Sequence, residues 1–346
     1  MSTPLRVYRC GQISIKCDRR TLPVCAGLAA LLLVLLILSV MYGDYVMSPL
    51  AVLQAILTDA PSSEHTVVWQ LRLPRILLAI MVGIALGVAG GLLQGITRNP
   101  LADPGIIGIN QGAAVMAVAV LVWSEQVSVV MLPVAAFIGG TLSAALIYSL
   151  AWKEGSSPIR LVLVGIGFAA FTSAVTQMMI VFGDIDRVDQ AYTWLAGSVY
   201  GRDWQHVHVL AMCLALLLPI VMLFTAKLDV LMQGDAVAKS LGVKVEWTRL
   251  IVLLLSVALS SAAVSAAGIF GFLGLVAPHI ARQLVGVMHI GVLPTAGLVG
   301  AVILVAADFL GRSLIAPNQI PAGLVTAILG APYFFWLLRQ HYKKGA

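Results

Sequence analysis

Charge is what this chain has least of. Only 10% of its 346 residues are Asp, Glu, Lys or Arg and 60% are hydrophobic, against about 25% and 45–50% in an ordinary soluble domain. A water-soluble fold cannot hide that much apolar surface, so lipid must solvate most of the chain. Cysteine is scarce as well: Cys10, Cys17, Cys25 and Cys213 have neither metal-ligand spacing nor a paired pattern, which excludes a zinc site and a disulfide framework. A Gly-x-x-x-x-Gly-Lys-Ser/Thr phosphate loop is missing, so the chain does not hydrolyse ATP in that manner. No nucleophile–base pair or metal cluster supports a membrane-embedded enzyme. Nor does any apolar run carry an acidic pair, the near-terminal Asp308 aside, which argues against proton or sodium coupling. The net charge of +6 is spread over the ends of apolar runs, not gathered in one patch, and so reports topology instead of nucleic-acid binding.

What fills the sequence is long charge-free stretches. Nine occur, at 22–43, 76–97, 104–124, 127–152, 161–183, 205–226, 250–281, 283–307 and 313–338, each able to cross a hydrocarbon core about 30 Å thick. They tile the chain and leave one transmembrane domain, 1–346, with a tail at 1–21 and a loop at 227–249. The first run is too long for a signal peptide and no small-x-small site follows it, so it reads as a retained helix. The run 250–281 would be about 48 Å long as one helix, too long for one crossing and short for two. Crossing twice puts 16 Lys/Arg on the N-terminal side and 5 on the other, the arrangement the positive-inside rule favours. The expectation is an all-α integral membrane protein of ten crossings with both termini cytoplasmic.

Two crossings in that run require a backbone break, which Gly268 to Gly274 and then Pro278 supply. A similar break, Asn99-Pro100-Leu-Ala-Asp103-Pro104-Gly105, separates crossings 2 and 3. The broken segments run in opposite directions in this topology, as in an inverted repeat. Irregular backbone at membrane depth is tolerated only inside protein or against water.

Gly83, Gly87, Gly91 and Gly95 stack on one face of crossing 2 and predict close approach of another helix. Arg72 and Arg75 stand at its outer mouth, and Arg312 stands just beyond crossing 9. One reading is interfacial snorkelling, or an Asp308/Arg312 pair at i, i+4; the other is a cationic surface for an acidic partner. Between crossings 6 and 7 the sequence Gly234-Asp235-Ala236-Val-Ala238-Lys-Ser-Leu241-Gly242 predicts a short helix from about Asp235, stopped at Gly242. A structured loop there points to a cytosolic partner. His279 and His289, without nearby carboxylates in sequence, read as interface residues.

At Gln94 to Asn110 and again at Gly271 to Arg282 the sequence resembles the FecCD-type permease family, importer subunits for iron-siderophores, haem and cobalamin. Leu71 to Arg75, Gly234 to Gly242, Ala307 to Arg312 and Gly330 to Tyr333 follow in family order. The resemblance implies ten helices per subunit, a homo- or heterodimer of permeases, two ATP-binding subunits and a periplasmic or lipid-anchored substrate-binding protein. It places no cofactor in this chain, since ATP and Mg belong to the partner ATPase. It gives Arg72, Arg75 and Arg312 the role of receiving glutamates of the binding protein, and the Asp235–Gly242 loop that of seating in the ATPase. Crossings 5 and 10 would line the pathway, where Thr172, Thr176 and Gln177 are polar candidates that helix packing explains equally well. Val287-Met-His289 keeps only the histidine of the Asp-His-Arg triplet found in many relatives, and Gln319-Ile-Pro321 replaces Glu-Leu-Pro. The reading is a bacterial inner-membrane permease for ferric siderophores; the alternatives are haem or cobalamin import by the same family and an ion-coupled secondary transporter.

Overall fold

The computed structural model describes residues 5–10, 13–43, 45–57, 62–105, 108–124, 131–153, 158–314 and 318–345. The parts of the tail, of the runs 104–124, 127–152 and 313–338, and of the Gln94–Asn110 motif that fall between these ranges lie outside the described residues. In chain order the helices are α1 (Thr21–Met41), α2 (Pro49–Leu57), α3 (Ser63–Thr66), a π-helical turn (Val67–Arg72), α4 (Leu73–Thr97), α5 (Ile109–Trp123), α6 (Met131–Ala151), α7 (Pro158–Val181) and α8 (Ile185–Leu195). They continue as α9 (Trp204–Leu223), α10 (Thr225–Leu231), α11 (Asp235–Ser240), α12 (Val245–Ala267), α13 (Leu273–Val285), α14 (His289–Ser313) and α15 (Ala322–Gly345).

The fold is all-helical as expected, with one addition in the tail. The tail forms an antiparallel hairpin, β1 (Leu5–Cys10) and β2 (Ile13–Asp18), with Leu5 opposite Asp18 and Cys10 opposite Ile13. β2 alternates apolar and polar residues from Ile13 to Asp18, the period of a strand, a signal masked when the tail is read for its charge alone.

Seven helices among the described residues are long and apolar enough to cross a membrane, and Ile109–Trp123 and Ala322–Leu337 are shorter apolar helices. The chain is a multi-pass membrane protein. The long run 250–281 is not one helix: α12 stops at Ala267, Gly268 turns the backbone at φ +82°, and α13 starts after Phe272 at φ +65°. The 13 residues of α13 span about 20 Å, short of a full crossing. The other break has the same character, with α4 ending at Arg98 in the left-handed region (φ 51°) and α5 beginning at Ile109.

At the centre stands α4, buried from Val82 to Thr97 apart from Ile84. Its glycine row explains why. A Cβ at Gly83 would lie 2.5 Å from the carbonyl oxygen of Gly300, one at Gly87 would strike the Ala296 carbonyl, and one at Gly91 would lie 2.7 Å from Leu293. Backbone meets backbone along the α4–α14 seam, as the four-residue spacing predicts. Gly90, off that row, meets the Gly274 carbonyl of α13 in the same manner. At the periphery the pattern reverses: α1 has only Thr21, Ser39 and Val40 buried, as expected of a helix whose apolar surface is solvated by lipid.

Candidate functional site

At one end of the bundle the π-helical turn feeds directly into α4, so that Arg72 and Arg75 sit close together, and the last turn of α14 brings Arg312 beside them. All three line one cavity of about 440 Å³ with Tyr200, Arg202 and Gln319. Their hydrogen bonds differ. Arg75 donates from Nε to both Asp308 oxygens at 3.0 Å, from Nη2 to Oδ1 at 2.8 Å and from Nη1 to Gln319 Oε1 at 2.7 Å. Arg72 donates to the carbonyls of Val40, Met41 and Tyr45, and Arg312 donates to the Ser39 carbonyl at 2.5 Å. The pair anticipated within α14 between Asp308 and Arg312 is thus superseded: Asp308 engages Arg75 from α4 instead, because the glycine seam holds the two helices close enough for a fork-to-carboxylate contact.

Arg202 enters this cavity from the segment between α8 and α9. Burial pulls its pKa below the ordinary arginine value, and the nearby Asp203 only partly offsets that. Asp203 itself caps α9, accepting from the backbone N–H groups of Gln205 at 3.1 Å and His206 at 3.3 Å. Its carboxyl lies 2.7 Å from His206 Nδ1. The hydrogen bond to the His206 side chain holds its pKa below the usual carboxylate range. Sequence reasoning placed Arg202 only in the charge count.

At the opposite end, the loop after α10 contains the expected short helix. Gly234 adopts φ +110° and opens α11, which closes at Gly242 (φ +80°) with Val243 N–H donating to Ala238 O at 2.9 Å. Asp235 takes bonds from Arg249 at 3.0 Å and from Arg98 at 3.1 Å. Ala238 is buried with Leu231 and Val245, while Ala236, Val237 and Leu241 are exposed. α11 is therefore held from below by charge and presents a small apolar face outward.

Between these ends the two backbone breaks pack on each other. Asn99 Oδ1 accepts from Leu101 N–H at 2.9 Å and Asp103 Oδ1 from Gly105 N–H at 2.7 Å, turns that fold the loop inward. A Cβ at Gly274 would lie 2.7 Å from Asp103 Oδ2 and 3.1 Å from Pro104. Gln94 bridges the breaks by donating to the carbonyls of Gly274 and Leu275 at 3.3 Å. A cavity of about 340 Å³ opens beside them, lined by Asp103, Asn110, Gln111, Ile166, Ala169 and Phe272 among others. Pro100 is half-buried and Pro104 buried in the first break, and Pro278 lies buried within α13.

Residues 31–340 match the FecCD transport family. The chain belongs to that family. Among FecCD relatives, the Fe(3+)-citrate import system permease protein YfmE of Bacillus subtilis is 42% identical over 94% of this chain and 98% of its own length. The Fe(3+) dicitrate transport system permease protein FecD of Escherichia coli is 43% identical over 82% and 89%. A solved metal-chelate type ABC transporter in an inward-facing conformation superposes with a TM-score of 0.82 at 31% identity, covering 92% of this chain and 99% of that one.

The remaining FecCD-motif residues are placed as follows. His279 meets Tyr333 edge-on at 5.9 Å and lies 2.8 Å from Gln283 Nε2. His289 is 2% exposed and lies 2.6 Å from Asp229 Oδ1. Its carboxylate partner comes from α10, which no local spacing reveals. Thr172 and Thr176 are buried and return their hydroxyls to carbonyls of α7 itself, whereas Gln177 is exposed. From α7 it is Ile166 and Ala169 that reach the cavity beside the breaks. Among the described residues no group of three His, Cys, Asp or Glu could hold a metal ion.

Proposed function

We propose that the chain is the membrane-spanning permease subunit of an ATP-driven importer that moves ferric siderophore complexes into a bacterial cytoplasm. Relatives named for ferric citrate and other siderophores support the cargo class. The observation that carries the mechanism is α4 itself, which links an arginine cavity at one end to the Asp235-anchored helix at the other. The count reaches ten crossings when α13, together with the irregular backbone at 268–272 before it, is taken as one pass beside the seven long helices and the two shorter apolar ones. Sixteen Lys/Arg on the N-terminal side against five on the other favour cytoplasmic termini in the inner membrane.

In this reading the whole chain is one permease domain paired with a second permease subunit. Arg72, Arg75 and Arg312 face the periplasm and receive acidic side chains of a substrate-binding protein. The loop at Gly234–Gly242 seats in an ATP-binding subunit, which carries the nucleotide, the Mg and the hydrolysis; the permease is not itself an enzyme. When the ATPases close, α11 moves. Asp235 passes that movement to Arg98, and so to the Asn99–Gly105 loop that lies against α13 at Gly274. The breaks are positioned to open or close the path by small shifts, because each lies where a helix already ends. The exposed Gln177 is the polar α7 candidate for the path, beside Ile166 and Ala169.

The test is uptake of radiolabelled ferric siderophore by cells carrying wild type or Arg72→Glu/Arg75→Glu, with membrane insertion checked in parallel. Loss of uptake at normal insertion, restored by a charge-reversed binding protein, is the expected outcome; unimpaired uptake overturns the docking role. Reconstitution without any ATPase separates this reading from an ion-coupled transporter, which would still accumulate substrate.

A further inference from the structure

The arginine cavity holds a fourth cation that no motif marks. Three of its guanidiniums already have acceptors supplied by the chain: Asp308 and Gln319 for Arg75, main-chain carbonyls of the segment 39–45 for Arg72 and Arg312. Arg202 differs. Among the described residues no carboxylate lies within 4.0 Å of it, its Nε is buried without a hydrogen-bond partner, and its one polar contact is His206 Nε2 at 3.4 Å. Asp203, next in sequence, is turned to the α9 N-terminus and to His206. An imidazole is neutral or cationic, so His206 does not supply the missing negative charge. A guanidinium withdrawn from water without a counterion is costly. It lines an open cavity of about 440 Å³, within the size range of pockets that seat small groups.

We infer that Arg202 is a further docking cation of this cavity, whose fork receives a Glu or Asp side chain that the substrate-binding protein inserts beside Arg72, Arg75 and Arg312. The inference rests on the docking reading above and adds to it a residue that gains on binding. A carboxylate entering here meets Arg75 with its charge offset by Asp308, and Arg72 and Arg312 already bonded to main-chain carbonyls. At Arg202 it finds a buried Nε without a hydrogen-bond partner and a desolvation cost already partly incurred by the free subunit. That pre-payment makes the contact net favourable, because association need not strip water from both partners. A planar fork suits a carboxylate in a way that a lysine ammonium does not.

The experiment uses the full chain assembled with its ATPase subunits in nanodiscs and the cognate binding protein, comparing wild type, Arg202→Gln, Arg202→Lys and Arg72→Gln. Affinity for the binding protein is read at two salt concentrations, alongside the apparent melting temperature. For Arg202→Gln the expected loss of affinity is about 30-fold or more, with a flatter salt dependence and a melting temperature equal to or above wild type. Arg202→Lys recovers part of the affinity. A residue that only braced the loop would instead lower the melting temperature. Wild-type affinity in Arg202→Gln with weakened binding in Arg72→Gln overturns the inference and leaves the docking reading standing; unchanged binding in both removes the docking reading itself. Loss of co-purifying anionic lipid in Arg202→Gln, without loss of binding-protein affinity, assigns the cavity to a lipid headgroup and also overturns it.

Discussion

Asp308→Asn should make the protein less stable and its docking tighter. Asp308 and Arg75 are 5% and 12% exposed at their side chains and share three contacts between 2.8 and 3.0 Å. At such separations a charge pair interacts by about 4 kcal/mol when the effective dielectric constant is near 20, and removing one partner from a buried pair costs about 3–5 kcal/mol. The amide keeps one acceptor for the guanidinium, so the loss falls at the lower end, about 3 kcal/mol. In detergent this is read as a lowered apparent melting temperature and a shortened half-life on heating, since unfolding there is a rate instead of an equilibrium. The same change releases Arg75 from its internal counterion, and a carboxylate arriving from outside then meets an uncompensated cation. Binding-protein affinity at low salt should rise by about tenfold, the equivalent of roughly 1.4 kcal/mol. Arg75→Gln in the Asp308→Asn background closes the cycle and should show strong coupling between the two sites. Unchanged stability would refute the energetic role of the pair, and weakened docking would show that Arg75 does not face the partner.

Gly87→Val should abolish accumulation of folded protein, because its Cβ would strike the Ala296 carbonyl, whereas Gly27→Val, which meets nothing within 4 Å, should express normally; overpacking of this kind costs about 1–3 kcal/mol or more, and fluorescence size-exclusion chromatography reports it. Asp235→Asn removes the carboxylate shared by Arg98 and Arg249, and transport should fall about tenfold while membrane insertion stays normal, an expected loss of roughly 1.4 kcal/mol of coupling; wild-type uptake would sever the proposed link from α11 to the breaks. Asp203 has its folded pKa depressed mainly by the hydrogen bond to the His206 side chain. Its stabilising contribution is therefore complete above the ordinary carboxylate range and is lost only as pH falls through the depressed value. Amide exchange at Gln205 and His206 should stay slow down through that ordinary range and quicken below it, and Asp203→Ala should be fast at all pH values.

Sequence made visible those features whose cause is local. A glycine every four residues places one face of α4 against a backbone whatever that backbone is, and the Gly and Pro clusters mark both breaks. The short helix at Asp235 announces itself by its glycine boundaries. What stayed hidden depends on distant residues. Asp308 has Arg312 four positions on, yet its partner lies 233 positions away on α4. His289 finds Asp229 across 60 positions. Arg202 looks like any arginine on a loop, because what distinguishes it is spatial: among the described residues no carboxylate lies within 4.0 Å of it, and its Nε is buried without a hydrogen-bond partner. α5 came out shorter than the apolar run that contains it and α13 straddles two runs across Arg282, since hydropathy measures what lipid or protein can cover and says nothing about where a chain re-enters the bundle without coiling.

The C-terminal end of α1 holds a consequence for how the chain is made. A helix leaves its last carbonyls without internal partners, and here those of Ser39, Val40 and Met41 are bonded by Arg312 and Arg72. The cationic caps suit the negative end of the helix, but the ribosome delivers them 32 and 273 residues after the carbonyls they serve. A nascent chain that has inserted α1 must keep that end wet until α4 arrives, and the Ser39 carbonyl must wait for almost the entire polypeptide. α1 is made well before the residues that finish it, and a chain cut short before α14 keeps this span with one end undone.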